Sequence, residues 1–239
     1  RGFAPPRTED LINNNATFTD VGPERSWNYE LGVRSTPMAG LDLQATAFRN
    51  DFQNLIVVGS VAGGGANLSE GKALFQGFEF SGRYGSPSGL YSNLALTWLP
   101  TAEQVTAFSV VSGAPSTTPI TGTRAGNRVP YAPKQLVTLG VGYLHPTGLD
   151  VNVEAVHVGA QFSDFGNVVN GTTDASLSAS QRASGQFGQI SSYTVFNATA
   201  NYSLPQYRIT LFLAIKNLAD KVYIVDRTRG ILPGSPRLV

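Results

Sequence analysis

Apolar and polar residues alternate along much of this chain with a period of two. In Leu149-Asp150-Val151-Asn152-Val153-Glu154-Ala155 the odd positions are apolar and the even ones polar. Successive side chains of an extended strand point to opposite faces, so such a segment has one greasy face and one wet face. Trp27, Tyr29, Leu31 and Val33 alternate in the same way with Asn28, Glu30, Gly32 and Arg34. So do Phe78, Phe80 and Tyr84 with Glu79, Ser81 and Arg83, and Phe196, Ala198, Ala200 and Tyr202 with Asn197, Thr199 and Asn201. Val137, Leu139, Val141 and Tyr143 alternate with Thr138, Gly140 and Gly142, and every odd position from Tyr207 to Ile215 is large and apolar. The pattern predicts strands over 26–36, 41–56, 74–84, 90–99, 135–144, 149–162, 192–203 and 206–217, with a ninth opening near Pro236 and stopping at Val239.

The connections alternate between short and long. Tyr84-Gly85-Ser86-Pro87, Tyr143-Leu144-His145-Pro146 and Tyr202-Ser203-Leu204-Pro205 each carry a tyrosine ahead of a proline, and Arg34-Ser35-Thr36-Pro37 is a version without it. Three turns run on into Gly-Leu, at Gly40-Leu41, Gly89-Leu90 and Gly148-Leu149. Proline and glycine form such turns. The long connections, about 57–73, 100–133, 163–191 and 218–235, are rich in Gly, Ser, Thr and Asn, as exposed loops are. Short turns at one end and long loops at the other are the pattern of an outer-membrane barrel. The three tyrosines would then form part of an aromatic girdle at the turn end. A soluble β-sandwich would also contain tyrosines before turns. Its strands would be shorter, about 5–6 residues, whereas about 9–11 are needed to cross a bilayer at a tilt. The fold class is therefore all-β: an antiparallel up-and-down transmembrane β-barrel.

Composition narrows the chemistry. Charged residues make up 14% of the chain and the formal net charge is +1, which gives no reason to expect nucleic acid as a partner. Cysteine is absent, so no disulfide, thiolate metal site or cysteine nucleophile is available. Gly63-Gly64-Gly65 lacks the Gly-Lys-Ser/Thr of a phosphate loop and reads as a loop tip. His157 and Glu154 would lie on opposite faces of a strand, and His145 sits in a turn, so no metal site is expected. No Gly-x-Ser-x-Gly elbow is present, and no enzyme activity or cofactor is implied. Arg34, Arg83, Arg208 and Lys216 alternate with Glu30, Glu79 and Glu154 on the wet face, which predicts an ion-pair network along the lumen wall.

Several segments resemble the TonB-dependent receptors. Pro23-Glu24-Arg25-Ser26-Trp27-Asn28-Tyr29-Glu30-Leu31-Gly32-Val33-Arg34 is similar to their "PE-x-S-x-NYE-x-G-x-R" strand. Ala73-Leu74-Phe75-Gln76-Gly77-Phe78-Glu79 is similar to their strand opening "G-x-E", and Asn127 to Lys134 to the loop exit before the next strand. Val195-Phe196-Asn197 is similar to their third-from-last strand. Lys216-Asn217-Leu218-Ala219-Asp220-Lys221-Val222-Tyr223 resembles "NLFDK-x-Y", and Gly230 to Arg237 resembles "G-x-x-x-G-x-PR". Arg1-Gly2-Phe3-Ala4-Pro5-Pro6 resembles "RGF-x-AP". The layout is most similar to the ferric dicitrate receptor group.

The resemblance implies that residues 1–239 are the C-terminal part of a receptor barrel of about 22 strands. The chain would supply about nine of them, the last truncated, with the plug domain absent. It implies a monomer in the bacterial outer membrane, contacting outer-membrane lipid and importing a ferric chelate of siderophore or ferric citrate type. Energy would come from the TonB complex acting through the missing plug. An anionic chelate calls for bidentate cationic donors. Candidates in the loops are Arg124, Arg128, Arg182, Arg227 and Arg229, of which Arg227 lies where the ferric dicitrate group has a ligand contact with a different residue type. The plainer role for each is a solvated loop charge or a contact to lipopolysaccharide phosphate. The functional alternatives are a passive porin-like or structural barrel, and a TonB-dependent receptor for a non-iron ligand such as an oligosaccharide.

Overall fold

The computed structural model describes residues 1–5, 22–57, 68–107, 109–112, 114–119 and 123–239. The tip at Gly63-Gly64-Gly65, and Pro6 of the first motif, lie outside them. The long strands are β2 (Glu24–Met38), β3 (Leu41–Val57), β4 (Leu68–Gly85), β5 (Leu90–Gln104), β8 (Gln135–Leu144), β9 (Leu149–Val158), β12 (Tyr193–Leu204) and β13 (Ile209–Ile215). A short β1 (Gly2–Ala4) pairs with β2. The long connections carry hairpins of their own: β6 (Ser109–Ser112) with β7 (Ala114–Pro119), β10 (Gln161–Phe162) with β11 (Gln189–Ile190), and β14 (Ile224–Asp226) with β15 (Leu232–Pro233). The main sheet runs β1-β2-β3-β4-β5-β8-β9-β12-β13, every neighbour antiparallel, as an up-and-down meander requires.

Register confirms the two faces. Directly paired residues share a face, and the rows Leu31–Ala47–Phe78–Trp98 and Tyr143–Val151–Ala200–Leu213 are apolar throughout. This face is open: Leu31 is 80% exposed and Val33 64%. Tyr84, Tyr143 and Tyr202 all lie on it at the turn end. At the loop end it closes with Tyr29, Phe78 and Trp98; Arg49, Gln76 and Gln135 appear on the same face beside these rings, and Asp51 lies one row further out. Strands β2 to β5 run 15, 17, 18 and 15 residues, past the roughly 9–11 that cross hydrocarbon, so their loop ends stand in water. That is why β4 starts at Leu68 rather than near 74 and β5 reaches Gln104 rather than 99.

The wet face departs from the expected ion-pair network. Among the described residues the side-chain ion pair is Arg49–Asp51, 2.9 Å, and it lies on the other face. Arg34 donates instead to Gln44 (3.0 Å), and Glu154 accepts from Asn197 (3.0 Å). Register explains this, because it sets Arg34 opposite Gln44 and Glu154 opposite Gly140 and Asn197. Arg208 is not on a wall at all: Pro205–Tyr207 forms a 3-10 turn and Arg208 follows it with φ 53°, so β13 begins at Ile209, not 206. Tyr91 crosses the wet face over Gly142 to donate to Asp150 at 2.7 Å. A Cβ on Gly142 would sit 2.2 Å from the Tyr91 ring.

Two other strand ends differ from expectation. Strand β9 stops at Val158 because Gly159 comes close to Gln135, its N–H donating to the Gln135 carbonyl at 2.8 Å. Near the expected ninth strand, Lys216 and Leu238 exchange two backbone hydrogen bonds, which place that segment beside β13.

The Gly-Leu turns follow one rule. Gly89 and Gly148 close their turns by donating to Ser86 and His145. Gly40, Gly89 and Gly148 all have positive φ, and each carbonyl accepts from the end of the next hairpin: Gly85 N–H to Gly40 (2.8 Å), Leu144 to Gly89 (2.9 Å), Ser203 to Gly148 (3.0 Å). The turns are thereby stitched to one another in a fixed stagger. Gly89 has φ 94°, and a Cβ there would lie 2.1 Å from the Leu144 carbonyl oxygen. Gly89→Ala should therefore destabilise the protein by about 1–3 kcal/mol. Gly85→Ala, with open space around it, should be near neutral. Urea unfolding in lipid vesicles checks both, and equal losses would refute the stitching.

Candidate functional site

The buried side chains lie in the long connections and at the loop ends of the strands, where Ala73, Ala102 and Gln104 are buried as well. Ser163, Asp164, Phe165, Val168, Leu177 and Ile190 are all buried, Phe165 to 2% exposure, although the 163–191 connection reads as an exposed loop. This segment folds over the loop ends of β5 and β8. Its β10 and β11 pair with each other, and a short helix, Ala179–Ser184, is capped by Ser178 and ended by Gly185 at φ 72°.

Loop backbone, and β5 beyond its last pair with β8 at Trp98, lack a ladder partner, so their carbonyls need other donors. The side chains supply them. Arg128 donates through Nε to Ala132 O (2.6 Å), through Nη1 to Pro100 O (3.1 Å) and through Nη2 to Leu99 O (2.6 Å). Burial lowers its pKa, and nearby Glu103 acts the other way. Asn167, with φ 55°, accepts from the Arg128 N–H and donates to the Arg128 carbonyl. Gln104 and Asn127 both donate to Phe165 O, at 3.0 and 2.9 Å. Ser163 donates to Gln186 O and Gly188 O. The Asp164 carboxylate accepts from the N–H groups of Val168 (3.2 Å) and Gly188 (3.4 Å). Burial raises its pKa despite those hydrogen bonds.

The last long connection joins at one tyrosine. Tyr131, itself at φ 55°, donates its N–H to Phe162 O. Its hydroxyl accepts from the Arg227 N–H (3.1 Å) and lies 3.3 Å from the Thr228 hydroxyl. Gln186 donates to Thr228 O at 2.9 Å. Burial pushes the Asp226 carboxyl up, but hydrogen bonds from the Thr228 and Tyr131 hydroxyls and nearby backbone outweigh it and hold the pKa below the usual range. The last two sequence motifs are joined as well. Asn217, buried, donates to Lys221 O and Ser235 O, and Asp220 accepts from the Arg237 N–H.

Of the five candidate arginines, Arg128 braces carbonyls as above. Arg182 donates to Asp174 O (3.1 Å) and to Leu177 O, and Arg227 donates to Gly185 O (2.9 Å). Arg124 and Arg229 are exposed, and neither guanidinium has a protein partner among the described residues. Sequence reasoning missed Tyr131, Asp164 and Asn167. The cap they form is a set of tertiary contacts with no local signal. Among the described residues no three metal-ligating side chains come together.

A family model described as "TonB dependent receptor-like, beta-barrel" matches residues 1–218. Solved structures of similar fold include the ferric citrate transporter FecA in its unliganded form, at 24% identity and TM-score 0.65, over 90% of this chain and 30% of that one. The siderophore receptor PiuA from Acinetobacter baumannii matches at 20% identity and TM-score 0.63, over 94% of this chain and 29% of that one. The copper transporter OprC matches at 13% and 0.67, over 99% and 33%. The chain thus spans about a third or less of the length of these structures, and at these identities the likeness is one of fold.

Tyr131→Phe should loosen the 218–235 connection at a cost of about 1 kcal/mol, the value of one such hydrogen bond. Hydrogen exchange over 224–230 of the full-length receptor should rise while the strands keep their protection; an unchanged loop would refute the latch. The two carboxylates respond oppositely to acid. Asp226 has a lowered pKa, so its contribution is present above the unfolded carboxylate pKa and is lost as pH falls through the folded one. Asp164 has a raised pKa, so its contribution is present in acid and is lost as pH rises through that value. Asp226→Asn should therefore remove acid loosening of 224–230, measured after correction for intrinsic exchange, and a variant that loosens like wild type would count against the assignment.

Proposed function

Because this chain belongs to the TonB-dependent receptor β-barrel family, a family of outer-membrane proteins, we propose that residues 1–239 are the C-terminal part of a receptor that imports a ferric chelate of siderophore or ferric citrate type with energy from TonB. The observation that carries this reading is the loop-end cap. It is braced by three arginines and leaves two others, Arg124 and Arg229, open to the outside solution. A guanidinium fork suits the carboxylates of such a chelate. In this reading Arg124 and Arg229 meet the ligand, and Arg128, Arg182 and Arg227 hold the loops that present them. The names FecA and PiuA, a ferric citrate transporter and a siderophore receptor, support the ligand class, while OprC, a copper transporter, is a reminder that this fold serves several cargoes. The TonB complex would act through a plug contributed by other residues of the receptor, which works as a monomer.

The test uses the full-length gene in iron-starved cells lacking their own receptors, supplied with radiolabelled ferric citrate, with and without a working TonB. Uptake that needs TonB is expected. Uptake without TonB would make the barrel a passive pore. Absence of uptake in both strains would remove citrate and move the search to other chelates and to oligosaccharides. Given ferric citrate uptake, Arg124→Gln and Arg229→Gln should each weaken ligand binding by about tenfold, the value of one charge-assisted contact. Arg182→Gln should act on loop protection instead.

A further inference from the structure

The apolar face is not uniform, and its unevenness points to a partner. Register sets Tyr29, Arg49 and Gln76 in one row, Leu31, Ala47 and Phe78 in the next, and Val33, Ala45 and Phe80 in the third. Strand β3 therefore contributes two alanines between large residues of β2 and β4, and a trough runs along it. A depression of about 370 Å³ lies there, with Tyr29, Leu31, Ala47, Arg49, Gln76 and Phe78 around it. Its wall is stiffened where Phe78 stacks on Trp98, with ring centroids 5.8 Å apart. At the loop end of the trough stands Arg49, 51% exposed, its guanidinium held by Asp51 through Nε (3.0 Å) and Nη2 (2.9 Å). Asp51 fixes the orientation of the fork and leaves its other donors unclaimed among the described residues.

A second depression, of about 300 Å³, adjoins the first on the same face, between Trp27, Tyr29, Asp51, Gln53, Lys72 and Val105. Asp51 is committed to Arg49, but aromatic rings beside the Gln53 amide and the Lys72 ammonium suit a hydroxyl-rich sugar bearing phosphate. Arg25, also exposed, adds positive charge in the same row as Gln53, and Arg1 lies over the Trp27 ring at 5.4 Å. All of this sits at the boundary where apolar residues give way to polar ones, at the end with the long loops, which in an outer-membrane barrel is the external side.

We propose that this face of β2 to β4 is a specific seat for a phosphorylated glycolipid of the outer leaflet. Its phosphate rests on Arg49 and Lys72, its sugar lies on Trp27 and Tyr29, and one acyl chain runs down the Ala45–Ala47 trough. A phospholipid would fill the trough and find the cations, but would leave the Gln53 amide and the Trp27 and Tyr29 rings of the upper hollow without a sugar. The seat depends only on the barrel standing in the outer membrane, not on which ligand it imports.

The experiment takes full-length receptor in mild detergent, strips it of lipid, and adds back deep-rough lipopolysaccharide, with bound lipid counted by native mass spectrometry. Wild type should retain the intact glycolipid and reject both its dephosphorylated form and phosphatidylglycerol. Arg49→Gln should lower occupancy about fivefold, as loss of one interfacial cation implies. Ala47→Phe, which fills the trough, should lower it as well. Ala198→Phe, on the same face of β12 but outside the trough, should leave it unchanged. Heat-modifiable mobility on a gel reports whether each variant keeps its barrel, and Arg49→Gln, at an exposed site, decides the matter should Ala47→Phe fail to fold. Equal occupancy in Arg49→Gln and wild type would overturn the proposal. So would phosphatidylglycerol or the dephosphorylated glycolipid binding as well as the intact lipid.

Discussion

Hydrocarbon offers no hydrogen bonds, so a chain that crosses it must pair its backbone within the protein. That one requirement organises this molecule. It forces long antiparallel neighbours, it lets side chains alternate freely between lipid and lumen, and it makes stagger matter, because a slip of one residue would turn every apolar side chain inward. The stitched turns at Gly40, Gly89 and Gly148 hold that stagger at the end where hairpins are tightest. With lipid as the solvent for the outer face, the sheet needs no hydrophobic core of its own, and Leu31 or Val33 can stand open without cost.

Beyond the aromatic rows the solvent is water and the rule reverses. Loop backbone there has lost its ladder, and apolar groups must now hide. The 163–191 segment answers with a small core around Phe165 and Ile190, and with side chains that stand in for ladder partners. Arginine serves this end well, since a planar fork can reach several carbonyls at once, as Arg128 does with Leu99, Pro100 and Ala132. The same use takes its charge away from any incoming ligand. The loop arginines therefore divide between Arg128, Arg182 and Arg227, which brace carbonyls, and Arg124 and Arg229, whose guanidinium groups have no protein partner among the described residues, and residue type alone does not separate them.

Legibility from sequence follows this boundary between solvents. Strands that cross lipid obey a period of two with little interference, so their faces, their order and the girdle tyrosines can be read directly. The family segments were legible through residue identity instead, and the structure gives two of them, both in connections, physical content through Asn217 with Ser235 and Asp220 with Arg237. Where strands rise into water the alternation no longer marks their ends, which is why β4 and β5 ran longer than expected. The lumen charges misled because sharing a face is not the same as being opposite, and register set Arg34 and Glu154 against amides. The cap was invisible, because Ser, Asp and Asn in a loop look alike whether they face water or a carbonyl.

Wall and cap also differ in how they can move. Neighbouring strands share long runs of backbone hydrogen bonds that yield only together, so shifting one strand means breaking a whole ladder at once. The cap is tied by single side-chain contacts, each worth about 1 kcal/mol net, such as Tyr131 to Arg227 and Gln186 to Thr228. Contacts of that size are within reach of the binding energy of a small molecule, whereas the ladder is not. A molecule bound at the loop ends would therefore act first on the cap, at the bonds that join the three connections, while the wall beneath keeps its register.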